Sequence, residues 1–296
     1  MSLDPDTASN QLFEVQAPAQ WHVPAVFNSP HSGCLVPQAF LAQTRLTPVQ
    51  LRQSEDYLVD ELFGACVDCG APMLRALATR AWLDLNREPY ELDQKMFSET
   101  LPGFMNIGSS RVAAGFGTIP RFVGDGVEIY RKRLSLAEAH NRVETFYKPY
   151  HRLLSGLLNE CHQACGFVLL LDCHSMPQAE GATKPTQPDV VLGDRFGAAC
   201  GREITAAVEE FFAAKGLHVA RNRPYAGGFI TEAHGAPHHH RHALQIEVNR
   251  GLYMDERQQC RSAGYGSLKK VLDEFAAAIE TILKAVTALP WQKAAE

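Results

Sequence analysis

A chain of 296 residues, 46% hydrophobic and 21% charged, is long enough for one large α/β core or two modest domains. Its formal net charge of -5 supplies no cationic excess for neutralising phosphates, so nucleic acid is not an expected partner. The opening MSLDPDTASNQLFEVQAPAQ lacks the basic start and apolar stretch of a secretory signal, and Phe167 to Leu171, the longest strongly apolar run, is too short for a bilayer. A soluble cytoplasmic protein with no membrane partner is expected.

Taken in chain order, residues 1–19 read as a polar N-terminal extension to a single α/β domain with its core over about 20–290. Ala25 to Asn28 is a short apolar strand leading into the loop Ser29-Pro30-His31-Ser32-Gly33. Thr47-Pro48 then supplies an N-cap and a proline at the first helical position. The spacing of Leu58, Leu62 and Cys66 predicts a helix over roughly 48–67, and Pro72 to Ala78 is the next strand. Residues 87–126 are rich in Gly and Pro and read as a functional loop system.

Ser135 with Glu138 forms a capping box opening a long helix to about Cys165, which Pro149 kinks or divides. Gly166 to Asp172 is apolar without alternation, as in a strand covered on both faces. Asp189 to Leu192, Leu217 to Arg221 and Ala243 to Val248 are further strands, with a helix from Phe196 to Lys215 closed by Gly216. A last helix runs from about Ser262 to Val286. Helices between buried strands imply an α/β fold with a mixed, largely parallel sheet flanked by helices.

Ligands in such sheets gather beyond the carboxyl ends of strands. Three strands end there in reactive residues: His31 after the first, Asp172 and His174 on the strand at 167–172, and Glu247, Asn249 and Arg250 on the strand at 243–248. Two imidazoles at matching positions make half of a catalytic zinc site, and a carboxylate would complete it. Asp56, Asp60 and Glu55 are the candidates on the helix after the His31 loop, with Cys34 a weaker rival. Glu247 sits between Ile246 and Val248 in an apolar strand, where burial favours either an ion pair with an arginine or a general base. Arg80, Asn86-Arg87 and Arg121 carry forks suited to carboxylates, which points to an acidic substrate.

Two features are given bland readings. Cys66 and Cys69, like Cys161 and Cys165, share helix faces and are expected as reduced thiols rather than zinc ligands. The cluster His238-His239-His240 with His242 is expected to be a solvated loop patch.

The segments FNSPHSG, TRAWLDLNREPYELD, GFGTIPRFVGDGVEIYRKRLS, LDCHSMP, NRPYAGGFITEAHG and HALQIEVNRGLYMDE together resemble the N-formylglutamate amidohydrolase family, over about residues 25–256. The resemblance implies hydrolysis of N-formyl-L-glutamate to formate and L-glutamate, the closing step of one histidine-degradation route. It also implies a fold similar to zinc carboxypeptidases and aspartoacylases, with Zn2+ or another divalent metal as cofactor. On that basis His31 and His174 are expected to hold the metal, Asn86-Arg87 to grip substrate and Glu247 to be the base. Arg80, Arg121, Gly228 and Arg250 are expected around an acidic N-acyl amino acid. Where carboxypeptidases carry His-x-x-Glu, this chain has Cys34 three residues after His31, so Asp56 is taken as the carboxylate ligand. A deacylase for another N-acyl amino acid or small peptide, and a non-catalytic binder of acidic amino acids, are the alternatives.

Overall fold

The computed structural model describes residues 12–124, 126–179 and 187–287. Seven strands are β1 (Phe13–Gln16), β2 (Ala25–Ser29), β3 (Met73–Ala76), β4 (Val168–Met176), β5 (Val190–Gly193), β6 (Val219–Arg221) and β7 (Arg241–Asn249). They form one sheet in the order β1-β3-β2-β4-β7-β5-β6. β4 is parallel to β2 and to β7, β5 is parallel to β6, and β5 runs antiparallel to β7. This is the mixed, largely parallel sheet that the sequence predicts. The chain folds as two compact units: Met1–Val15, Pro30–Glu55 and Leu74–Leu153 make one, and Gln16–Ser29, Asp56–Met73 and Leu154–Glu296 the other.

In the second unit, strand alternation separates packing from chemistry. Leu169, Leu171 and Cys173 of β4 and Leu244, Ile246 and Val248 of β7 join one apolar core. The helices facing that core contribute their apolar stripes: Ile204, Val208 and Phe212 from Arg202–Ala214, and Leu268, Leu272, Phe275, Ile279 and Leu283 from Tyr265–Val286. The Phe212 and Phe275 rings meet at 4.9 Å. Each such side chain, fully buried, stabilises by about 1.5–3 kcal/mol. The alternate positions of the same strands, Asp172, His174, Gln245, Glu247 and Asn249, are polar and also buried. The helix expected from Phe196 starts only at Arg202, because the chain turns first through left-handed Arg195, Phe196 and Gly197.

The helix predicted over 48–67 is interrupted. Thr47 and Gln50 form a reciprocal capping box on Pro48–Leu51, but after a tight turn to Ser54 the backbone is extended at Glu55 and left-handed at Leu58 (φ 60°). A second helix then covers Val59–Phe63. The apolar spacing was real, and the interruption falls where Asp56 is drawn into polar contacts described below.

In the first unit, the N-terminal extension is not wholly a polar tail. Residues 1–11 lie outside the described residues, but β1 is part of the sheet. Phe13 packs on Phe146 and Tyr150, and Glu14 pairs with Arg75 at 2.6 Å. The long helix begins at Leu136 under a Ser135 cap, passes through a π turn at Val143–Tyr147 and continues from Lys148 to Cys165. Pro149 explains the π turn, since it lacks an N–H and its ring crowds the carbonyl four residues before it. Glu138 turns away from the cap to accept from Arg142 Nε at 2.8 Å. Arg142 is fully buried and also donates to Trp82 O, Tyr130 Oη and Gln43 Oε1.

All eight cysteines are unpaired thiols. Burial pushes the Cys66 and Cys200 thiols up, the latter to about 12. Cys165 differs: the hydrogen bond from Cys161 lowers it to about 7, outweighing burial. Because the thiolate accumulates as pH rises through that value, iodoacetamide should label Cys165 with a midpoint near 7. In Cys161→Ala the midpoint should move up toward the ordinary value of about 8.5. Site-resolved labelling rates across pH 6–9, read by mass spectrometry, check this; an unmoved midpoint rejects the coupling.

Candidate active site

In the second unit the site is built on the parallel register of β2, β4 and β7. Asn28 lies beside Asp172 and His174 beside Glu247, on neighbouring strands. Asn28 Nδ2 donates to Asp172 Oδ1 at 2.7 Å. Asp172 in turn holds His174 through its Nε2 at 3.0 Å, and the other ring nitrogen, Nδ1, meets Asp56 Oδ2 at 3.0 Å. His174 is thus clamped at both nitrogens. Burial alone would lower its pKa, but the charge and hydrogen bond of Asp172, the hydrogen bond of Asp56 and the charge of Glu247 raise it well above the ordinary value.

Asp56 is a hub. Its Oδ1 accepts from Ser175 Oγ and Arg250 Nη2, both at 3.1 Å, while Oδ2 faces His174. Arg250 also donates from Nε to Ser175 Oγ at 3.0 Å and approaches Glu256 at 3.7 Å. The guanidinium that the sequence reading placed on substrate therefore braces Asp56. Of the other carboxylates weighed as ligands, Glu55 pairs with Arg52 at 2.9 Å. Cys34 is exposed.

Glu247 receives a hydrogen bond from Gln245 Nε2 at 2.7 Å, and the Gln245 Oε1 accepts from Gly228 N, also at 2.7 Å. Gly228 thus fixes Gln245, which fixes Glu247. The nearby His234 is half-buried, and the loss of solvation lowers its pKa to about 4 despite the charge of Asp172. His242 is likewise lowered to about 4 by burial, and its Nδ1 accepts from Gly201 N at 3.0 Å. The neighbouring His238 and His239 are exposed and stack on each other, as expected of a solvated patch.

The first unit holds the remaining residues around Asp84. His31 Nε2 donates to Asp84 Oδ1 at 2.7 Å, Arg80 Nη2 lies 2.6 Å from Oδ2, Arg87 Nη2 lies 3.7 Å from Oδ2, and Asn86 N donates to Oδ1 at 2.9 Å. Burial opposes ionisation of Asp84, but Arg80, Arg87 and His31 overcome it and hold the carboxyl well below the usual range. Arg87 is further fixed by donating to Phe116 O and Asn86 O. Arg121 is turned to other partners, Glu128 at 2.8 Å and Asp93 at 3.7 Å.

Asp84 and the positioning role of Asp172 are what sequence reasoning missed. Both stood in quoted segments, WLDLNRE and LDCHS. The available signal was a carboxylate next to each histidine-bearing strand or arginine-rich loop, but no spacing rule links Asp84 to His31 across 53 residues. Each imidazole gives Nε2 to a buried carboxylate, and the His174 Nδ1 meets Asp56. Imidazole nitrogens and carboxylate oxygens are donors that suit a divalent metal.

In the second unit a buried imidazole held between two carboxylates at the carboxyl end of a parallel strand, with a buried glutamate on the neighbouring rung, makes a polar pocket of the kind found in α/β enzymes. The chain belongs to the N-formylglutamate amidohydrolase family, whose model matches residues 23–254, and is a hydrolase of amide bonds. The N-formylglutamate deformylase of Pseudomonas aeruginosa is 29% identical over 257 residues, 82% of this chain and 87% of that one. The N-formylglutamate deformylase of Pseudomonas putida is 26% identical, over 81% of this chain and 85% of that one. The crystal structure of N-formylglutamate amidohydrolase from Ralstonia eutropha superposes with a TM-score of 0.86 at 31% identity, covering 93% of this chain and 99% of that one.

Removing the Arg250 head while keeping its bulk tests the Asp56 hub. Arg250→Met leaves a buried carboxylate without its cation and should cost about 3–5 kcal/mol of stability, read as a lower denaturant midpoint. A change below about 0.5 kcal/mol would show that Arg250 does not brace Asp56.

Proposed function

We propose that the enzyme hydrolyses N-formyl-L-glutamate to formate and L-glutamate, with a divalent metal held by His31, Asp56 and His174. The observation that carries this reading is the buried pair of His174 and Asp56 in the second unit, whose Nδ1 and Oδ2 lie 3.0 Å apart; His31 in the first unit is a second buried imidazole, held through Nε2 by Asp84. The names and coverage of the relatives support the substrate. When bound, a metal such as zinc supplies Lewis acidity, polarising a carbonyl and acidifying water.

The chain's own residues do the rest. Asp84 and Asp172 hold the two imidazole rings in the tautomer that keeps Nδ1 for coordination. Arg250 and Ser175 keep Asp56 aimed. Glu247, oriented by Gln245, takes the proton of the attacking water at a carboxylate oxygen and returns it to the amide nitrogen as the C–N bond breaks. Arg80 and Arg87 hold the substrate's carboxylates. Burial lowers the Arg87 pKa, opposed by the charge of Asp84 and aided by those of Arg80 and Arg111.

Three outcomes test this. Formate release from N-formyl-L-glutamate should disappear on verified metal removal and return with a divalent cation; activity that survives removal rejects the metal. Glu247→Gln should lower kcat by about 10²–10⁴-fold, and a variant turning over at the wild-type rate rejects Glu247 as the base. Asp84→Asn should weaken metal affinity by about 10–100-fold in a direct metal titration, whereas unchanged affinity would mean that Asp84 does not orient a ligand.

A further inference from the structure

The first unit contains a second concentration of positive charge. A concavity of about 180 Å³ is lined by Arg45, Lys95, Arg121, Arg131, Lys132 and Arg133, with Met96, Glu128 and Tyr130. Six cations and one carboxylate thus converge on one small space, in a chain whose formal net charge is -5. None of His31, Arg80, Asp84, Arg87 or Glu247 lines it.

Arg45 and Arg121 have acidic partners, Glu128 for both and Asp93 for Arg121, but the other four cations are not neutralised by any ion pair among the described residues. Residues 43–45 and 129–131 run antiparallel: Arg45 N donates to Ile129 O, Arg131 N donates to Gln43 O, and Thr44 bridges Tyr130. Across this ladder Arg45 donates from Nε and Nη2 to Tyr130 O at 3.0 and 2.6 Å, and Arg131 from Nε to Thr44 O at 2.8 Å. A carbonyl orients a guanidinium but leaves its full charge. Glu128 is shared between Arg121 at 2.8 Å and Arg45 at 3.5 Å. Among the described residues, Lys95, Arg131, Lys132 and Arg133 have no ion pair. The buried Tyr130 beneath is fixed by a hydrogen bond from Arg142 at 2.8 Å. Like charges brought this close repel unless an anion lies among them.

We propose that this concavity is a binding site for a small multivalent oxyanion. Planar forks on two hydrogen-bonded antiparallel segments suit paired oxygens of phosphate or carboxylate groups. The volume lies below the roughly 300–1,000 Å³ of drug-sized ligand pockets, which favours an ion the size of diphosphate or a tricarboxylate over a whole nucleotide. The excess of cations requires more than one negative charge on the ligand. The site is independent of the proposed hydrolysis.

Isothermal titration calorimetry at physiological ionic strength, with pyrophosphate and with citrate, tests it on the wild type and on Arg131→Ser/Arg133→Ser. Both residues are exposed, so the variant should keep its circular dichroism spectrum and its hydrolytic activity. The wild type should bind at least one anion saturably at one site, and the double variant should bind it at least about tenfold more weakly, since it loses two charged donors. Binding of pyrophosphate alone assigns a phosphate ligand, and of citrate alone a carboxylate one. Saturating N-formyl-L-glutamate should leave the affinity unchanged. Absence of saturable binding, equal affinity in the variant, or displacement by N-formyl-L-glutamate each overturns the proposal.

Discussion

The backbone register between β4 and β7 sets His174 and Glu247 on one rung, and the chemistry of the second unit depends on it. A slip of one residue would put Cys173 or Ile246 on the functional face and turn a charged residue into the apolar core. That slip is prevented by packing on the opposite face, where Leu169, Leu171, Leu244, Ile246 and Val248 are all buried among the helices. The hydrophobic effect carries no directional information of its own. Coupled to strand alternation, it nevertheless fixes His174 and Glu247 relative to each other.

Burial then imposes a second constraint, since a charge removed from water must find partners. In the second unit it produces a continuous chain from Asn28 through Asp172, His174 and Asp56 to Arg250 and Glu256. In the first unit the same need gathers His31, Arg80, Arg87 and the Asn86 amide on Asp84. Carboxylates therefore fix the orientation of both imidazole rings.

Much of this was legible in the sequence because local patterns report burial. The unbroken apolar run of β4 announced a strand covered on both faces, and polar residues at its end marked the functional edge. What was not legible required knowledge of distant partners. The stripe Leu58, Leu62, Cys66 promised a continuous helix, but Asp56 is held by His174 and Ser175, more than a hundred residues away. The backbone opens at Glu55 and Leu58 instead. Asp84 looked like one acidic residue in a charged loop, and nothing local showed that His31 would choose it. Arg250 was visible as a cation near the site, yet only the fold shows that its charge meets Asp56.

The arginines also show why residue type alone does not fix a role. Arg80 and Arg87 share the ionised Asp84 with His31, and Arg250 sits on Asp56, so their charge serves buried carboxylates. Arg131 is oriented instead by a backbone carbonyl, and Arg45 by a carbonyl together with Glu128. A guanidinium paired with a carboxylate shares its charge, whereas one held only by a carbonyl, like Arg131, keeps its field. That contrast lets one net-acidic chain hold both a carboxylate-rich centre and a cationic concavity without either neutralising the other.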